Sequence, residues 1–189
     1  YADGAALAPL AFALVAATVV LHGFSAAPMA RALGLTSAET PGVLISGATE
    51  WSVALAKALA EQDIPVMMAD RNWFHLRPAR EAKIPIYFGE ILSEAAEHTI
   101  DLTRFGTLVT ASENDDHNTL ICTDFAPEVG RSNGFQVGRH EIKSDMRAVP
   151  NTLGGRAIAN GQPSDALRQK QLEGWRFSAT ELSDAYGLD

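Results

Sequence analysis

Between Asp3 and Arg31 the sequence carries no Lys, Arg, Asp or Glu, a gap of 27 residues in a chain of 189. A surface helix needs a polar face, so that absence excludes an ordinary amphipathic helix here. Cysteine is nearly missing as well. Cys122 is the single one, which excludes an internal disulfide framework and a Cys-based zinc site. Positive charge is scarce: 15 Lys+Arg stand against 23 Asp+Glu, a net charge of −8. That balance argues against duplex nucleic acid as a partner, because phosphate binding needs clustered Lys and Arg. No His-x-x-x-His or His-Glu-x-x-His pair is present. The polar run 111–118 (ASENDDHN) therefore reads as the capped, dipole-compensated start of a helix rather than as a metal site. The Tyr-x-x-x-Lys pair of short-chain dehydrogenases is missing too, since four residues after Tyr87 stands Ile91.

The uncharged stretch itself reads GAALAPLAFALVAATVVLHGFSAAPMA from Gly4 to Ala30. As a helix it would reach roughly 40 Å, against a hydrocarbon core of about 30 Å. Gly4, Ala5, Ala8, Ala11, Ala13, Ala16, Ala17 and Gly23 suit close packing against other membrane helices. A signal peptide would want a basic start and a shorter apolar run, and neither is found. A transmembrane helix is expected, with Arg31 favouring a cytoplasmic exit. Pro28 is expected to end that helix near Ser25, or to kink it so that residues 29–35 lie at the membrane surface. His22 reads as an interfacial polar group, and residues 37–42 as a short linker. The chain opens on Tyr1 and not on Met, as a piece of a longer protein would. Asp3 is the one charge before Arg31, so −7 of the net charge belongs to residues 31–189.

After Pro41 the pattern changes to short apolar runs alternating with helical stretches. Strands are predicted at 43–45, 65–69, 84–88, 107–110 and 134–137, with helices at 52–62, 76–82, 93–98 and 115–126. Such alternation predicts βαβ units and a doubly wound α/β fold, a mostly parallel sheet covered on both faces. Beyond residue 138 the reading thins. Residues 138–163 are rich in Gly, Pro and Asn and read as loop, 164–172 as a helix, and 175–180 as an added edge strand.

Ligands of such sheets bind beyond the carboxyl ends of the strands, which here carry Gly47, Asp70, Gly89 and Thr110. Asp70 follows Gly47 at the spacing of the acid that holds ribose hydroxyls in dinucleotide folds. An Asp at a strand end is also a common turn residue. The glycine fingerprint is incomplete: Gly47-Ala48-Thr49-Glu50-Trp51-Ser52 keeps only its first glycine. Thr49 puts a side chain where the backbone should approach a pyrophosphate, and Glu50 puts a negative charge near it. Glu50 equally stabilises a helix N-terminus by itself. Cys122 falls among Leu120, Ile121 and Phe125 and reads as a core thiol.

Taken in order, these stretches resemble the C-terminal part of a bacterial sodium(cation):proton antiporter of the cation:proton antiporter-1 family. In that family the last membrane helix is followed by a regulator of K+ conductance domain, a Rossmann-like, Trk-type NAD-binding unit. TVVLHGFSAAPMARALGL (Thr18 to Leu35) is similar to the family's closing helix and its exit. Residues 42–62, Asp70, Tyr87-Phe88-Gly89-Glu90 and residues 110–118 are similar to the strand ends of its nucleotide domain, over roughly residues 5–140 in all. The resemblance implies a last transmembrane helix with its exit (1–36), a nucleotide-binding domain (37–140) and a C-terminal extension (141–189). It implies NAD(H) or an adenine mononucleotide as ligand, framed by Gly47, Thr49 and Asp70, with Gly89, Glu90 and Thr110 lining the base and second-phosphate side. It also implies a homodimer, the antiporter's membrane domain as partner, an inner (plasma) membrane multi-pass protein, and a cytoplasmic segment after about residue 36. The transport residues of the family lie in earlier helices that this chain lacks. No catalytic constellation is found, so a cytoplasmic regulatory domain of a cation:proton antiporter leads. A degenerate Rossmann module used for assembly comes second and a membrane-anchored NAD(P)-dependent oxidoreductase last.

Overall fold

The computed structural model describes residues 3–33, 41–138 and 153–180. The chain divides into two units, Tyr1–Glu39 and Thr40–Asp189.

Among its described residues the first unit is one helix, α1 (Asp3–Ala32). Its stretch Leu7–Ala30 is long and apolar enough to cross a membrane, with a mean hydropathy of 2.0. Large apolar side chains such as Leu10, Phe12 and Phe24 are exposed within the unit, so it has no core of its own. Of the two expectations for Pro28, an end near Ser25 is not what forms. It runs through Pro9 and Pro28, and Leu33 N still donates to Met29 O at 3.0 Å. Leaving the helix would free several backbone groups at once, whereas Pro28 removes only one donor. His22 returns its polarity to the same helix, Nδ1 lying 2.7 Å from Thr18 O. The Thr18 hydroxyl likewise donates to Val15 O at 2.8 Å. Most of the expected linker at 37–42 lies outside the described residues.

The second unit is built on six parallel strands in the order β3-β2-β1-β4-β5-β6. They are β1 (Gly42–Ser46), β2 (Val66–Asp70), β3 (Ile86–Phe88), β4 (Phe105–Thr110), β5 (Gly134–Gln136) and β6 (Arg156–Ala157). The helices between them are α2 (Glu50–Ala60), α3 (Arg77–Glu81), α4 (Glu94–Thr99), α5 (Asp115–Asp124) and α6 (Ala126–Val129), with α7 (Ser164–Leu172) after β6. This is a Rossmann-like α/β fold, as the alternation predicted. Strand alternation divides the core. Ile45, Met68 and Val109 face Val53 and Ala56 of α2, Ala79 of α3 and Leu167 of α7. Leu44, Ala69 and Leu108 face the other way, toward Ala96 of α4 and Ile121 and Cys122 of α5. Each such buried Leu or Ile stabilises the unit by roughly 1.5–3 kcal/mol relative to exposure.

Three local departures from the sequence reading have backbone causes. β3 begins at Ile86, not at residue 84, because Pro85 has no amide to give the ladder; its carbonyl still accepts from Met68 N at 2.9 Å. The helix expected to reach residue 126 breaks after Asp124, and Pro127 sits in the first turn of a new helix, α6. The added edge strand forms at Arg156–Ala157, pairing with Phe135 and Gln136, and residues 175–180 are in no strand. The aromatic residues of that stretch pack instead: Phe177 meets the Trp51 ring edge-on at 5.5 Å, and Lys170 caps Trp175 at 4.4 Å. Gly155 lets β6 approach, since a Cβ there would lie 2.7 Å from Cys122 Sγ and 3.0 Å from the Phe135 carbonyl carbon.

Candidate functional site

The strand order reverses between β1 and β4, and a cleft of about 1020 Å³ opens beyond their carboxyl ends. In open α/β sheets that reversal is where ligands bind. Gly47, Thr49, Asp70, Gly89 and Glu90 all line the cleft. Thr110 does not. Its side chain is fully buried, with Oγ1 donating to Phe135 O at 3.3 Å beside Cys122 Sγ, also at 3.3 Å. Thr110 shares the parity of Leu108, so it faces α5 and not the cleft.

The turn from β1 into α2 shows what replaces the missing glycines. Gly47 takes φ +96°, and a Cβ on it would collide with the backbone of Ser112. Thr49 is the N-cap of α2: its hydroxyl accepts from Ser52 N at 3.2 Å, while Ser52 Oγ accepts from Thr49 N at 2.9 Å. The same Ser52 hydroxyl donates to Gly47 O at 2.6 Å and is fully buried. Thr49 and Ser52 thus fasten the turn to the helix by side-chain hydrogen bonds where the fingerprint would rely on glycine.

Asp70 ties this turn to β2. Its Oδ2 accepts from Ala48 N and its Oδ1 from Asn72 N, each at 2.7 Å, with His75 Nδ1 at 3.6 Å. Its side chain is 14% exposed, and each oxygen keeps a lone pair for a hydroxyl donor from the cleft. Beyond β3, Glu90 is held from both sides: Oε2 lies 3.3 Å from Arg71 Nη1, and Oε1 lies 3.2 Å from His117 Nε2. His117 Nδ1 is buried without a hydrogen-bond partner. The loop from β4 into α5 is fastened by Asn118, which is fully buried; its Oδ1 accepts from Ser112 N at 3.0 Å and from the Ser112 hydroxyl at 2.7 Å. Asn114 caps α5 by accepting from His117 N at 2.9 Å, so the polar run 111–118 serves the helix start as read.

Sequence reasoning missed one wall of the cleft. Pro163, Ser164, Asp165 and Arg168, from α7 and the residue before it, line it beside the start of α2. Arg168 Nε lies 3.7 Å from Glu50 Oε2, and Ser164 Oγ donates to Ser112 O at 3.3 Å. No local motif marks these residues; only the return of the chain through β6 brings them in. Trp73 and Phe74 also border the cleft, with Trp73 edge-on to Phe88 at 5.4 Å and under the Arg80 guanidinium at 4.0 Å. The lining is acidic. Glu50, Asp70, Glu90, Glu113, Asp115 and Asp165 stand against Arg71 and Arg168.

No protein-family model matches the chain, and no curated protein matches it significantly. Among solved structures it is similar to the NAD(P)-binding domain of an exopolyphosphatase-related protein from Archaeoglobus fulgidus, with TM-score 0.48 and 14% identity over 71% of this chain and 96% of that one. It is also similar to the TrkA-N domain of the inner membrane protein ybaL from Escherichia coli, with TM-score 0.50 and 14% identity over 72% of this chain and 97% of that one. At that identity the likeness to the TrkA-N domain establishes a common Rossmann-like fold.

Proposed function

We propose that this chain is the final membrane helix and the cytoplasmic, nucleotide-sensing regulatory domain of a monovalent cation:proton antiporter in the inner membrane. The observation that supports the nucleotide reading is the cleft at the reversal of strand order, where Asp70 lines the wall beside the capped start of α2 and would accept from a ribose diol. The likeness in fold to a domain of an inner membrane protein, together with the apolar stretch Leu7–Ala30, supports the membrane context. Thr49 and Glu50 stand where a bridging pyrophosphate would approach the start of α2, which favours an adenine mononucleotide held mainly through its ribose and base over NAD(H). Gly47, Asp70, Gly89 and Glu90 frame it, and Thr110 supports the wall from inside. Ligand binding regulates transport by favouring one arrangement of a homodimer, which requires different affinities for two states.

Calorimetric titration of the chain in detergent micelles with AMP, ADP, NAD and NADH tests this. Saturable heat with AMP or ADP is expected. No heat and no thermal shift with any of the four would leave assembly as the function, a reading favoured by the engagement of both Asp70 oxygens within the protein. The coding sequence ahead of Tyr1 tests the antiporter. About ten further apolar spans with paired intramembrane acids are expected, and a start codon immediately before Tyr1 would overturn it.

A further inference from the structure

The mouth of the cleft holds an ion pair that closes on itself. Arg168 of α7 and Glu50 of α2 meet at a single contact of 3.7 Å, with side chains 64% and 61% exposed. Such a pair is weak, because water competes for both partners. Its location gives it a use. Glu50 stands where the phosphate of a nucleotide would meet the first turn of α2, and among the described residues Arg168 is the one cleft-lining arginine beside it. The other, Arg71, is engaged with Glu90 across β2 and β3.

We propose that Arg168 is the residue that selects a terminal phosphate monoester on the ligand, exchanging the Glu50 carboxylate for the phosphate. The inference rests on reading the cleft as a nucleotide site. A guanidinium offers paired donors that fit a phosphate dianion better than the one long contact it makes with Glu50. Arg168 is also held in position for this task. Its neighbour Leu167 is buried in the core, and the approach to α7 is anchored by Gly138 N donating to Gln162 O at 3.1 Å and by the Ser164–Ser112 hydrogen bond. The turn before α2 has spent its side chains on its own cap, so phosphate recognition passes to a residue of the neighbouring helix α7. A terminal monoester carries close to two charges, whereas the bridged phosphates of a dinucleotide carry one each. Arg168 therefore discriminates between ligands that share an adenosine.

The test titrates AMP and adenosine into the chain in detergent micelles, as wild type, Arg168→Gln, Arg168→Lys and Glu50→Gln. Wild type is expected to bind AMP more tightly than adenosine. Arg168→Gln should lower AMP affinity about tenfold and leave adenosine unchanged, with Arg168→Lys between them. Glu50→Gln should raise AMP affinity a few-fold, because the competing carboxylate is gone. If wild type binds both ligands and Arg168→Gln loses neither, the role of Arg168 is wrong while the cleft remains a nucleotide site. Equal losses for AMP and adenosine would make Arg168 a structural residue of α7 and overturn the selection. Failure of wild type to bind either ligand would remove both this inference and the reading beneath it.

Discussion

Replacing Ser52 by Gly restores the third glycine of the dinucleotide fingerprint, and the geometry makes that change a loss. The Ser52 hydroxyl is the donor to Gly47 O at 2.6 Å and the acceptor for Thr49 N at 2.9 Å, inside a fully buried position. Gly47 is buried, so its carbonyl finds no replacement donor, and orphaning it costs about 1–3 kcal/mol. The Thr49 amide is half-buried and can turn to water, so its loss adds little. Ser52→Ala should therefore destabilise the second unit by about 1–3 kcal/mol. Ser52→Gly adds the conformational freedom of a glycine in a helix, about 0.5–1 kcal/mol more. For a unit of this size the glycine variant should melt roughly 5–15 °C below wild type. Thermal unfolding followed by near-ultraviolet circular dichroism reads the tertiary packing of this unit, because α1 contributes little to that signal. The expected order of Tm is wild type, then Ser52→Ala, then Ser52→Gly. Should Ser52→Gly melt with wild type and take up NAD more tightly than AMP, the turn would be an ordinary dinucleotide loop, and the reasoning from its cap would be refuted.

Asp70→Asn leaves one of the Ala48 and Asn72 amides facing a donor. It should cost about 1–2 kcal/mol in urea unfolding and abolish calorimetric nucleotide binding. Gly155→Ala drives a methyl against Cys122 and the β5 backbone. A loss of about 1–3 kcal/mol is expected, with faster amide exchange in β6 and α7 than in β1. Leu14→Arg places a charge near the middle of Leu7–Ala30 and should reduce membrane insertion in a glycosylation-mapping assay by about 2.5–3.5 kcal/mol. Unchanged insertion would count against a lipid-crossing role for α1.

The parallel strands were legible because their apolar runs recur between helical periods, and Asp70 was legible because a strand end followed by a turn is a local signal. Thr110 was misread although its parity with Leu108 already placed it on the α5 face. Strand ends point at a ligand, but alternation decides which of their side chains do. β6 was invisible for a different reason. Two residues behind a Gly-Gly step carry no apolar run, and their pairing is permitted by the missing Cβ of Gly155, which no sequence window displays. Arg168 was out of reach because its role depends on Glu50, from the other end of the unit, and only tertiary packing joins them.

The ends of the sheet have a bearing on how two copies of this chain can meet. At one border β3 offers three residues just after Pro85, and at the other β6 offers two. Borders so short present too few unpaired amides and carbonyls to template a foreign strand. These strands do not support sheet-to-sheet zippering, the route by which exposed β-edges lead to runaway polymerisation. Among the described residues, self-association of the unit falls to side chains, whose contacts can be closed, counted and reversed.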